Sequence, residues 1–124
     1  SNATLDHQRA TISMRGNEVF KIAVKIMGDV VDEVLEASHL KKSDIQWLIP
    51  HQANMRIIQA IAKKLDLPMS QVVVTIGSQG NTSAASIPLA LDHSIRTNQI
   101  KRDELLLIES FGGGMTWGAM VIRY

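Results

Sequence analysis

Several features that would direct function are missing from this chain. None of its 124 residues is cysteine, which excludes disulfide bonds, thiolate metal sites and a cysteine nucleophile supplied by these residues. Aromatic residues make up only 4%, too few for a platform that stacks nucleic-acid bases. Thirteen Lys and Arg residues against twelve Asp and Glu give a net charge of +1, whereas proteins that bind nucleic acids by bulk electrostatics carry a larger excess. Because no apolar run approaches the roughly 20 residues of a membrane span and no signal peptide is visible, we expect a cytoplasmic protein.

The residues that are present have the composition of a folded domain. Hydrophobic residues make up 45% and charged residues 20%, which is typical of globular proteins. Residues 1–3, Ser-Asn-Ala, look like the remnant of an expression tag, so we expect one domain over residues 4–124. No internal repeat is visible. The four histidines lack the spacing of metal ligands, so we expect no metal site.

Hydrophobic periodicity predicts helices that alternate with buried strands. Asn17 is a plausible N-cap for the first helix, and Pro88 should kink the third helix or end its first section. Alternation of this kind predicts an α/β fold with a mixed, mostly parallel sheet that is layered with helices and closed by a hairpin. The predicted helices span residues 18–37, 52–65 and 82–97, and the predicted strands span residues 45–50, 72–76, 105–110 and 117–124, with a further short extended piece at 10–14.

Three loops follow predicted strands, where functional groups gather in open parallel sheets. His51 begins a helix, and because a helix N-terminus disfavours a positive imidazole, we expect it to be neutral. Without other information, a lone histidine that packs or caps is the more common case. Asn81 fits an N-cap or a turn. Residues 112–114 are three glycines that form either a simple hairpin turn or a backbone that a ligand can approach closely.

Taken together, these loops resemble a known enzyme family. Residues 47–54 (WLIPHQAN), 80–88 (GNTSAASIP), 111–114 (FGGG) and 16–20 (GNEVF) are similar to β-ketoacyl-acyl carrier protein synthase III. This family is the condensing enzyme that starts type II fatty acid synthesis. The resemblance implies the carboxyl-terminal half of a thiolase-like fold, with the cysteine-bearing amino-terminal half outside this chain.

The resemblance also implies roles for individual residues. In the family, a cysteine is acylated by a starter acyl-CoA, and His51 and Asn81 match the pair that promotes decarboxylation of malonyl-acyl carrier protein. Phe111 matches a residue that lines the site, and the N–H of Gly113 matches a donor to the oxyanion of the acyl group. No cofactor is implied, because CoA thioesters and the phosphopantetheine of the carrier protein are substrates. Without the cysteine, the isolated chain should not catalyse condensation.

Two further groups of residues match binding regions of the family. Arg56, Lys63 and Lys64 make one helix basic, which would attract an acidic carrier protein. The expected partners are acyl carrier protein, acyl-CoA and malonyl thioesters, and the missing half of the enzyme. The matching carrier-protein contacts are Gln52, Ala53, Asn54, Met55 and Arg56, and the matching positions along the pantetheine channel are Gly16, Phe20 and Asn54.

Two other functions remain open at this point: a related condensing enzyme that makes polyketide or quinolone precursors, and a binding module that holds carrier protein or CoA without catalysis. The resemblance further implies a missing central strand. The strands that begin at Ile45 and Leu105 would then flank a gap, and we expect homo-oligomers to form.

Overall fold

The computed structural model describes residues 16–124, and the predicted extended piece at 10–14 lies outside them. The first helix, α1, spans Gly16–Ala37 and buries one stripe of side chains. Asn17 is therefore a helical residue rather than the N-cap that we expected. The buried stripe follows the predicted periodicity and consists of Ala23, Met27, Val31 and Leu35.

One mixed sheet of three strands forms the centre of the fold. Strand β1 is Trp47–Pro50, β2 is Leu105–Gly112 and β3 is Thr116–Arg123, in the spatial order β1-β2-β3. Strands β1 and β2 are parallel, with Leu48 beside Leu107, whereas β2 and β3 form the expected antiparallel hairpin. The expectation of a gap is wrong, because the two strands that should have flanked it pair directly with each other.

Helices cover both faces of this sheet. Helix α1 and helix α2, Met55–Lys64, bury their apolar side chains against one face. Helix α4, Ser86–Arg96, contributes Ala90 to a second apolar cluster on the other face. This layering follows from the alternation of β2, since Leu107 belongs to the first cluster and Leu106 and Ile108 belong to the second.

The prediction of a strand at residues 72–76 is largely wrong. Val72 makes one isolated parallel bridge to Leu48, and the N–H of Val73 donates to the Leu48 carbonyl at 2.9 Å. In a parallel ladder, the next bond would run from the N–H of residue 50 to the Val73 carbonyl, and proline has no N–H. The Gln52 amide supplies that bond instead, at 3.1 Å. The chain then enters a short helix, α3 (Ile76–Gln79), where we expected a loop.

The predicted helix at 82–97 is divided. A 3₁₀ turn at Ser83–Ala85 precedes α4. Pro88 lies in the first turn of α4, where a backbone N–H has no partner within the helix, so it neither kinks nor ends the helix.

Candidate functional site

A cleft of about 800 Å³ opens at the carboxyl ends of β1 and β2. His51 directly follows β1, Asn81 follows α3, and Phe111 and Gly113 belong to the end of β2 and its turn. All four residues line the cleft. The topology therefore brings together the side chains that the three separate sequence segments had suggested.

His51 is a half-buried and neutral histidine. Its Nδ1 lies 2.7 Å from the hydroxyl oxygen of Ser86, and its ring meets the edge of Phe111 with centroids 6.0 Å apart. Burial lowers the pKa of His51 below the ordinary value of 6.5. The predicted neutrality thus has a different cause from the one that we expected, because α2 begins only at Met55.

Asn81 is held by the turn that follows it and does not cap a helix. Its Oδ1 accepts a hydrogen bond from the Ser83 N–H at 2.9 Å, and its Nδ2 donates to the Ala53 carbonyl at 3.4 Å. Gly80 has φ +69° and Ser83 has φ 53°, a left-handed conformation that is uncommon for residues other than glycine. Because an N–H can donate only to the oxygen, this turn determines which side of the Asn81 amide is the oxygen.

Gly113 lies on the exposed rim of the cleft. No heavy atom would come within 4 Å of a Cβ added there, so packing within residues 16–124 does not require glycine. Open space beside a backbone N–H is what close approach of a ligand needs.

Sequence reasoning missed two residues of the cleft region, Glu109 and Ser86. Glu109 lines the cleft, is 2% exposed and has a carboxylate oxygen without a hydrogen-bond partner. Burial raises the pKa of Glu109 from 4.5 to about 8, so the carboxyl is largely protonated at neutral pH. A lone acid inside the apolar run of β2 was a usable signal, since glutamate is almost never fully buried. No sequence pattern singles out Ser86.

None of the proposed binding residues belongs to the lining of the cleft. Arg56 is exposed on α2, and its guanidinium stacks 4.7 Å above the ring of Phe20 on α1. Asn54 caps α2 by accepting the Ile57 N–H at 2.9 Å. Gly16 is the exposed first residue of α1, Met55 is 40% exposed and Ala53 is half-buried.

Gln52 requires a correction. Its side chain is 0% exposed, and the hydrogen bonds of its amide are internal, to Pro50, Val73, Thr75 and Ile76. We expected a carrier-protein contact, but a buried side chain whose hydrogen bonds are all used internally cannot make one. The role that the structure assigns to Gln52 is to join the His51 loop to residues 73–76.

Residues 16–124 contain no group of three or more His, Cys, Asp or Glu side chains that could hold a metal ion. Among their helices, none has the length and apolarity to cross a membrane.

Comparison with solved structures defines the class of the protein. The chain superimposes on 3-oxoacyl-[acyl-carrier-protein] synthase III from Aquifex aeolicus with a TM-score of 0.90 and 49% identity, over 96% of this chain and 38% of that one. It also superimposes on the priming β-ketosynthase of the R1128 polyketide pathway with a TM-score of 0.83 and 31% identity, over 98% and 38% of the two chains. These similarities show a thiolase-like α/β fold.

The family follows from sequence. The model of the carboxyl-terminal domain of 3-oxoacyl-[acyl-carrier-protein] synthase III matches residues 35–124, and the chain belongs to this family. It is 64% identical over 113 residues to β-ketoacyl-[acyl-carrier-protein] synthase III of Alkalilimnicola ehrlichii, a match that covers 91% of this chain. That match covers 35% of the relative, so the chain spans about a third of its length.

Proposed function

We propose that this chain supplies the decarboxylating part of a condensing enzyme that initiates fatty acid synthesis in the cytoplasm. The observation that carries the proposal is the shared cleft of His51 and Asn81. Both are neutral at physiological pH. His51 is held through Nδ1, and Asn81 is held through Oδ1 and one hydrogen of Nδ2, so that the other ring nitrogen and the second amide hydrogen can face a substrate.

The proposed reaction begins with a malonyl thioester in the cleft. As the bond to the carboxylate carbon breaks and CO₂ leaves, its electron pair becomes an enolate with negative charge on the thioester oxygen. N–H groups of His51 and Asn81 stabilise that oxygen, and a preorganised donor of this kind is worth ~3–4 kcal/mol. The enolate carbon then attacks an acyl-cysteine thioester, forms the new carbon–carbon bond and releases the thiolate.

The second half of the reaction needs groups beyond this chain. The N–H of Gly113 supports the oxyanion of the acyl group, and Phe111 shapes the cleft beside His51. The chain contains no cysteine, so the nucleophile comes from elsewhere, and this polypeptide alone forms no ketoacyl product. CoA thioesters and the phosphopantetheine of acyl carrier protein are substrates, and the reaction needs no cofactor.

The surface of α1 and α2 is the proposed docking site for acyl carrier protein. Arg56 is exposed there and Phe20 supports its guanidinium, while Lys63 and Lys64 extend the basic surface at the end of α2. Asn54 and Met55 lie at the start of the same helix. Gly16, Phe20 and Asn54 would accompany the pantetheine arm towards the cleft.

A second candidate function is the priming of a polyketide chain, which the similarity to the R1128 ketosynthase favours. Identity of 64% to a fatty acid enzyme against 31% to the polyketide enzyme favours fatty acid synthesis.

A chimeric enzyme tests the proposed function. The 113 matching residues of the Alkalilimnicola ehrlichii synthase are replaced by those of this chain, and release of CO₂ from malonyl-acyl carrier protein is measured. We expect an active chimera in which His51→Ala or Asn81→Ala slows decarboxylation by about 100- to 1,000-fold while acylation of the cysteine survives. The exposed His93→Ala is the control. Decarboxylation at the control's rate in either cleft variant would contradict the donor roles.

We also propose that β3 provides an association surface. Trp117 is 51% and Met120 is 54% exposed, on a strand whose single partner among residues 16–124 is β2. Because side chains alternate along a strand, Trp117 and Met120 lie on opposite faces of β3, and the backbone edge between them can pair with a strand of a second copy. We expect light scattering to show self-association of the chain, and expect the double substitution Trp117→Ser with Met120→Ser to abolish it, whereas Ile22→Ser on α1 should not.

A further inference from the structure

Ser86, the first residue of α4, lies between two nitrogen atoms of the His51 loop. Its hydroxyl oxygen is 2.7 Å from Nδ1 of His51 and 3.2 Å from the backbone nitrogen of Gln52. The residue is 2% exposed, so water does not compete freely for these bonds. No other hydrogen bond of the Ser86 side chain is formed within residues 16–124.

The hydrogens of this arrangement can be assigned from chemistry. The Gln52 N–H can only donate, so it uses a lone pair of the serine oxygen. If Nδ1 of His51 also carried a hydrogen, the oxygen would accept two bonds and the serine O–H would have no acceptor. The hydroxyl therefore donates to an unprotonated Nδ1, and in a neutral ring the hydrogen is then on Nε2. We propose that Ser86 is a positioning residue that holds His51 in its Nε2–H tautomer, with that N–H available to the cleft.

This inference rests on the proposed function for its significance. Developing negative charge on a thioester oxygen is stabilised by an N–H and repelled by a nitrogen lone pair. Burial lowers the pKa of His51, so the ring is neutral. Its tautomer therefore decides whether the cleft contains an N–H or a nitrogen lone pair at this position. The link from Ser86 through His51 also ties the start of α4 to the end of β1.

Nitrogen NMR of the ¹⁵N-histidine-labelled chain tests the assignment without substrate. At a pH well above the ordinary histidine pKa, long-range proton–nitrogen correlations report which ring nitrogen carries the hydrogen. We expect Nε2–H in the wild type and a decrease of about fivefold in the tautomer ratio in Ser86→Ala, the factor that corresponds to one ordinary hydrogen bond. Ser86→Thr, which keeps the hydroxyl, should retain the wild-type ratio.

Ser94→Ala is the matched control, because Ser94 is buried on the same helix and donates to the Ala90 carbonyl at 2.6 Å. The tautomer ratio of His51 in Ser94→Ala should equal that of the wild type. Hydrogen on Nδ1 in the wild type, or an unchanged ratio in Ser86→Ala, would overturn the proposal. Because this readout needs no reaction, it distinguishes a wrong tautomer assignment from a wrong function, which the CO₂ assay of the chimera detects.

Discussion

The two ends of the β1–β2 pair satisfy their polar groups in opposite ways. At the amino end, Glu104 accepts hydrogen bonds from the Trp47 indole at 2.9 Å and from the Lys101 N–H at 2.8 Å. Gln46 accepts from the Leu105 N–H at 2.6 Å, and Arg102 stacks on the ring of Tyr124. Hydrogen bonds and a cation–π contact therefore satisfy the polar side chains at this end.

At the carboxyl end, several buried polar atoms have no partner. Side-chain oxygens of Thr75, Gln79, Thr82 and Glu109 are buried without a hydrogen bond. All of these residues lie close in sequence to Asn81 or at the end of β2, and none belongs to the amino end. Because native proteins pair most buried polar groups, a cluster of exceptions calls for an explanation. The difference teaches that the unpaired buried polar groups of this strand pair are concentrated at the end that carries the cleft.

The largest effect that we expect concerns Glu109 and pH. Its pKa is raised from 4.5 to about 8, so the folded state holds a proton that the unfolded state releases above pH 4.5. The contribution of the Glu109 proton to the unfolding free energy is therefore fully present below about pH 4.5. It is lost as the pH rises to about 8, at up to about 1.4 kcal/mol per pH unit. Glu109→Gln should remove this loss, so that its advantage over wild type grows to on the order of 5 kcal/mol.

Urea unfolding of wild type and Glu109→Gln between about pH 4.5 and 8 measures how the unfolding free energy of each depends on pH. Gln46→Ala, which removes an amino-end side chain without a titratable group, should keep the wild-type pH dependence. Parallel stability curves for wild type and Glu109→Gln would show that the buried carboxyl does not titrate as described.

The next largest effect compares Gln52 at the carboxyl end of the strand pair with Gln46 at its amino end, by the loss of unfolding free energy on substitution. Gln52→Ala removes four internal hydrogen bonds from a side chain that is 0% exposed, and at about 1 kcal/mol each we expect a loss of about 4 kcal/mol in unfolding free energy. Gln46→Ala removes a single side-chain bond to Leu105 and should cost about 1 kcal/mol. Equal shifts in the urea midpoint would remove the contrast between the two ends.

The smallest expected effect compares two stacked arginines. Arg56 stacks 4.7 Å from the centroid of Phe20, and Arg102 stacks 4.3 Å from that of Tyr124 at the amino end. In the chimera, Arg56→Glu should weaken binding of labelled acyl carrier protein about tenfold, or about 1.4 kcal/mol, at low salt and less at high salt. Arg102→Glu makes the same charge change and should leave the affinity unchanged. Equal weakening by both variants would mean that net charge, rather than the α2 surface, directs docking.

Local patterns predicted most of the secondary structure for a clear reason. The buried stripe of α1 repeats with the helical period, and β2 and β3 are apolar runs joined by glycines, so the positions of these elements follow from short-range spacing. The burial of β2 follows in the same way, whereas none of the β3 residues is fully buried. The proline at position 50 is also a local signal, and it ends β1 where the sequence suggested. The sequence segments around His51, Asn81 and Phe111 likewise identified the cleft residues through their resemblance to a family.

The errors occurred where distant residues compete for the same backbone. Val72–Ile76 has the composition of a strand, but Pro50 withholds the N–H that would extend the ladder, and the Gln52 amide binds Val73, Thr75 and Ile76 instead. A contact between residues more than twenty positions apart leaves no trace in local propensity. Direct pairing of β1 with β2 was missed for the same reason, because strand order depends on the whole sheet.

The sequence by itself determined where the three long helices lie, that one stripe of α1 is buried and which residue types are available for chemistry, because these properties depend on spacing along the chain. Only the tertiary structure decided that Glu109 is buried without a partner, that Gln52 is a structural residue and that Ser86 lies against His51. Each of these depends on desolvation or hydrogen bonding between groups that are remote in sequence. Burial and proton position are properties of the assembled fold, and no single segment contains them.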